Sequence, residues 1–133
     1  MANLTKRSLI LIVVVLSAFQ QAPAPALSPQ MQKLCKVWTF TGSEAWGVVA
    51  EPTAEQKSDR IEFKTDMSYS WTYNGKVESG TWTSDKSAVW VSLKTSDGVT
   101  KRLKVVKVDA TSLEIDYKDQ DDVHNMLRYK SSN

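Results

Sequence analysis

Two side chains in this sequence could begin covalent chemistry: Cys35, the only cysteine, and His124, the only histidine. A thiol nucleophile needs a base within hydrogen-bond reach, and a zinc site needs three or four N, S or O ligands. The pair sits at opposite ends of the chain and could meet only if the strands carrying them are neighbours. A second cluster, DYKDQDDVH at 116–124, offers Asp116, Asp119, Asp121 and Asp122 as oxygen ligands. It lacks the glycine and distal glutamate of an EF-hand, so a solvated hairpin turn is expected, with weak cation binding the lesser alternative. No phosphate-cradling glycine loop, paired-carboxylate motif or Ser-His-Asp arrangement accompanies these residues. The expectation is a protein that is not an enzyme, with no cofactor and no metal.

Noncovalent chemistry has better material. Tyr69, Trp71 and Tyr73 share one face of an alternating run; two of them carry polar tips. Such a row either packs a core or lines a cavity with an apolar wall and a few orienting donors. Phe63 and Leu103 complete the candidate wall.

The elements that would position these residues follow from period-two alternation broken every eight to twelve residues by turn chemistry, the pattern of an antiparallel all-β domain. Strands are predicted over 37–43, 60–64, 67–73, 77–83, 88–94, 99–108, 112–118 and 122–130. Asn74-Gly75 supplies the two positive φ angles of a type I′ hairpin turn. In the sixth strand the apolar phase shifts from Leu103 and Val105 to Val106 and Val108, which predicts a β-bulge near Val105. Residues 44–58 form the one long connection, where a lid would sit. Eight strands on short turns bury their apolar faces by pairing in sequence order until the ends meet. The predicted fold is thus a single antiparallel, eight-stranded, up-and-down β-barrel, without exposed edges and just wide enough to be filled or to hold one small ligand. The faces opposite the apolar rows are polar and charged, which argues against a membrane barrel.

Within that barrel, Trp38, Gly80 and Trp82 read as floor, a glycine two positions before a tryptophan letting the ring lie over the missing side chain. In the segment SAVWVSLK (87–94), Val89, Val91 and Leu93 oppose Trp90. Either Trp90 looks outward and marks a partner surface, or a tilted strand buries both faces.

Residues 1–26 read as a secretory signal: Lys6 and Arg7, an apolar run at 9–19, and Ala24-Pro25-Ala26 before a cut at Leu27. The run is shorter than the roughly 20 residues of a membrane span, and the residues before Cys35 lack the small side chains of a lipobox. Taking Lys6 and Arg7 from the 17 basic residues leaves 15 against 15 acidic ones. A neutral mature chain gives no support for nucleic acid or an anionic membrane as partner, and no nucleic acid is expected. A lone cysteine excludes an intramolecular disulfide. Residues 27–33 read as a short linker and 34–133 as one domain, an exported monomer, secreted or periplasmic, without stable membrane insertion.

Leu34-Cys35-Lys36-Val37-Trp38 resembles the L-x-G-x-W opening of lipocalin-like domains, with Lys36 in place of the glycine. The run Ile61 to Asp85 is similar to the phenylalanine, acidic turn, aromatic strand and Gly-x-Trp of small secreted bacterial lipocalin-like proteins. The resemblance spans residues 34–130. It implies a binder of a small hydrophobic or amphipathic molecule, and a basic residue of a late strand, best matched by Arg128, stacked on Trp38 at the barrel base. The function expected is therefore noncovalent binding or transport of such a ligand, with Phe63, Tyr69, Trp71, Tyr73 and Leu103 as the wall. The alternative is a protein-interaction module on a solid barrel, a secreted-protease inhibitor or envelope scaffold, using the 44–58 loop and Trp90.

Overall fold

The alternating runs do close on themselves. The computed structural model describes residues 26–132, and the expected signal segment up to Pro25 lies outside them. A short helix, α1 (Pro29–Leu34), precedes nine strands: β1 (Val37–Ala45), β2 (Val48–Ala50), β3 (Arg60–Phe63), β4 (Ser68–Tyr73), β5 (Lys76–Ser84), β6 (Trp90–Thr95), β7 (Thr100–Val108), β8 (Ser112–Lys118) and β9 (His124–Ser131). Every neighbouring pair is antiparallel. The chain-order sheet is sealed by β1 against β9, giving an eight-stranded barrel with β2 as an extra strand on β1. The β1–β9 register shifts between Phe40 and Gly42, which bends β1. That lets its start pair with β3 and its end with β2. The predicted bulge lies in β7, where the register slips between Val105 and Lys107.

Two connections differ from expectation. The presumed linker holds α1, which Ser28 caps by accepting the Met31 amide while Pro29 occupies the first turn. Met31 and Leu34, three apart on one face, are buried against the barrel end. The presumed 44–58 loop begins with a hairpin: Trp46 and Gly47, at φ 54° and 74°, turn β1 into β2. Val48, Val49 and Ala50 are all exposed, so β2 shows no alternation from which a strand could be read.

Inward residues of all eight barrel strands meet in one core, with Trp38, Ile61, Trp71, Trp82, Leu93, Leu103, Leu113 and Ile115 fully buried. The one buried charged side chain among the described residues is Asp59. Its carboxylate accepts the amides of Asn74 and Gly75 at 2.7 and 3.0 Å, so the end of the long loop fastens the predicted hairpin turn, whose φ angles are 50° and 75°. Removing that acceptor strands two amides. Asp59→Ala is expected to cost about 2 kcal/mol, and Asp59→Asn, which keeps one acceptor oxygen, less. Urea unfolding followed by tryptophan fluorescence checks both, and a neutral alanine variant would show that the carboxylate does not hold the turn.

Candidate functional site

Two charged residues fall on the inward phase of their strands. Glu78 alternates with Gly80 and Trp82 on β5, and Lys101 with Leu103 and Val105 on β7, so both project into the barrel at the end opposite α1. They form an ion pair with Nζ to Oε1 at 2.5 Å, and their side chains are only 32% and 20% exposed for lysine and glutamate. The Tyr69 hydroxyl donates to the other Glu78 oxygen at 2.9 Å, and Lys101 Nζ lies 5.6 Å from the centre of the Trp71 ring. Beneath this group Trp71 donates its indole N–H to the Tyr129 hydroxyl at 3.2 Å.

Above it an open cleft of about 370 Å³ is walled by Tyr73, Val77 and Tyr117, with Glu78, Lys101 and Asp119 among its polar lining. Trp71, Tyr73 and Tyr117 form an aromatic triangle, with ring centres 5.2 to 5.6 Å apart and mostly edge-on. Burial first, then the Glu78 hydrogen bond and charge, push the Tyr69 hydroxyl far above its ordinary range. Burial, followed by Tyr117 and Asp119, also raises Tyr73. Both phenols stay protonated at neutral pH and remain hydrogen-bond donors.

Of the five wall candidates, Tyr73 alone faces this cleft. Phe63, Trp71 and Leu103 are shut into the core, and Tyr69 reaches the site through its hydroxyl. The aromatic alternation of β4 is visible in the sequence, but how deep each ring sits depends on the barrel's taper. Glu78, Lys101 and Tyr117 were not singled out. The cue lay in charges occupying the apolar phase two residues from Gly80 and Leu103.

The expected floor residues separate. Trp38 and Trp82 are buried at the α1 end, with indole N–H groups donating to the carbonyls of Leu34 and Lys64 at 2.9 and 3.0 Å. Gly80 does not make room for a ring. Its open position admits the β6 backbone, and the atoms nearest an added Cβ belong to Lys94 and Thr95. Arg128 does not stack on Trp38 either. Leu127 and Tyr129 point inward, so Arg128 points out and pairs with Glu44 at 2.6 Å and Glu114 at 3.7 Å. The cation over Trp38 is Lys36, the residue replacing the expected glycine, 5.5 Å from the ring centre and hydrogen-bonded to the Ala110 carbonyl.

The dyad of Cys35 and His124 does not form. The β1–β9 register pairs Trp38 with Ser131 and Glu44 with Met126, which puts Cys35 and His124 at opposite ends of the barrel. The thiol donates to the Met31 carbonyl, and burial raises its pKa, which disfavours the thiolate. His124 pairs with Asp116 instead, at 3.0 Å. In the acidic turn Asp119 accepts the amides of Asp121 and Val123 and the Asn125 side chain, and no metal-ligating cluster occurs among the described residues.

Fold and site together define a small closed β-barrel, packed below and open at one mouth over a polar handle. The chain belongs to the lipocalin-like domain family, which it matches over residues 34–115. It is also similar to the crystal structure of a lipocalin-like protein from Bacteroides uniformis ATCC 8492, with a TM-score of 0.52 and 14% identity, covering 72% of this chain and 97% of that one. Identity that low speaks to the fold alone. A search of the curated proteins found no match.

Proposed function

We propose that the protein binds a small amphipathic molecule noncovalently in its mouth cleft, outside the cytoplasm and as a monomer. The observation that carries this reading is the inward Glu78–Lys101 pair beneath the Tyr73 and Tyr117 rings: an apolar wall with a few convergent polar groups, in a volume within the usual range for ligand sites. Family membership supports binding rather than catalysis. The apolar part of the ligand leaves water against Tyr73, Val77 and Tyr117, and its polar end exchanges hydrogen bonds with Glu78, Lys101 or the nearby phenols.

Native mass spectrometry of protein purified gently from its own host should show one small molecule per chain. Re-addition of that molecule should quench or shift tryptophan emission through Trp71. Tyr73→Ala and Tyr117→Ala should each weaken binding about tenfold, since each removes much of an aromatic ring's apolar contact. An empty protein, unresponsive to fatty acids and retinoids, would sink the reading.

A second reading has its own observation. The β1–β2 hairpin carries Trp46, Val48 and Val49 at 85%, 67% and 62% exposure, an apolar tip of the kind that marks a protein contact. An empty cleft together with a partner lost on Trp46→Ser would favour this interaction role.

A further inference from the structure

The charges of the folded chain are not evenly spread. On the outer surface of β6 and β7, Trp90, 41% exposed, stands in register with Lys104 and lies beneath Arg102, whose guanidinium carbon is 4.4 Å from the indole centre. Lys104 Nζ is 5.8 Å from the same ring. Lys94 is exposed on the outward phase of β6, two residues beyond Ser92, itself two beyond Trp90. None of Lys94, Arg102 and Lys104 has a carboxylate within ion-pair distance among the described residues. Asp116 is the cross-strand neighbour of Lys104, but its carboxylate is held by His124.

Two apolar side chains extend the patch. Ala88, at φ 54°, turns Val89 outward to 38% exposure, and the β7 bulge leaves Val106 48% exposed. The Val105 amide donates to the Val89 carbonyl, which sets Val89 against the β7 bulge that exposes Val106. The result is an apolar knuckle of Val89, Trp90 and Val106 edged by Arg102 and Lys104, with Lys94 further along β6, three cations without carboxylate partners.

We propose that this face docks peripherally on a bilayer surface containing anionic phospholipid. Charge complementarity selects the anionic surface, since each lysine or arginine held near it adds attraction. The knuckle selects a bilayer over a soluble polyanion: tryptophan favours the headgroup level, and valines gain by leaving water for the acyl boundary, whereas a phosphate or sulfate chain offers them nothing. The arrangement is consistent with a folded chain of no overall charge, because proximity and not the total sets the attraction within a Debye length. The face is separate from the mouth cleft, so its test does not depend on the ligand.

The test is co-sedimentation of the protein purified from its own host with vesicles of pure phosphatidylcholine and of phosphatidylcholine with phosphatidylglycerol. The double variant R102Q/K104Q should bind the anionic vesicles about thirtyfold more weakly, and W90A should bind them more weakly with its circular dichroism unchanged. High salt should remove most of the difference between wild type and the double variant. Equal binding of all three proteins to anionic vesicles would overturn the proposal. So would binding to heparin, but not to vesicles, that depends on Arg102 and Lys104, which would make the face a polyanion site.

Discussion

Gly80→Ala is expected to destabilise the barrel by about 3 kcal/mol, at the upper end of what overpacking costs. A Cβ at position 80 collides with the Lys94 carbonyl oxygen and falls 2.8 Å from its carbon and 2.9 Å from the Thr95 Cα. All three are backbone atoms of the neighbouring strand, so no rotamer change relieves the clash. The β5–β6 register, which sets Gly80 against Thr95 and Trp82 against Leu93, would have to open where β5 crosses the barrel. Chemical unfolding with tryptophan fluorescence measures the loss. A variant as stable as the parent would mean that the close approach of the two strands is not required.

Trp38→Ala should cost more, about 3–5 kcal/mol, the range for truncating a buried large aromatic. Trp38 has no exposed surface, and its indole N–H donates to the last helical carbonyl, that of Leu34, which also accepts the Lys36 amide. The substitution therefore opens a cavity and removes one of the two donors to the end of α1, while Lys36 loses the ring it lies over. Trp38→Phe restores most of the volume without the donor. The difference between the two variants separates packing from docking: if phenylalanine recovers nearly all of the stability, the hydrogen bond contributes little. Hydrogen exchange at the Gln32 and Cys35 amides, bonded within and at the end of α1, should speed up in both variants.

The features legible in the sequence were those with local causes. Asn74-Gly75 demanded its turn because both residues accept positive φ, and the change of phase around Val105 could only be a bulge. What was not legible was local conformation unusual for its residue type, or depended on partners remote in sequence. Trp46-Gly47 turns the chain as Asn-Gly would, but tryptophan at positive φ is too rare to be read as a turn, so β2 vanished into a loop. Ser28-Pro29 is a fair helix start, yet six residues are too few to be helical without the barrel end that receives Met31 and Leu34. Trp90 could not be oriented because the flip comes from the backbone of Ala88, a residue with no sequence mark of positive φ. Within the site, nothing in the sequence near Glu78 and Lys101 by itself shows which way they face. Only closure of the barrel turns their alternation into a pair facing inward.

The sealing of β1 by β9 has a consequence in time as well as space. The first barrel strand hydrogen-bonds the last, and the Ser132 amide reaches back to the Val37 carbonyl. The chain cannot complete its sheet until residues 124–131 have been synthesised. Contacts between strands so far apart in sequence place its folding in the slow, millisecond-to-second class of β-barrels. The side of β1 that faces β9 therefore stays unpaired in a growing chain until its last strand emerges.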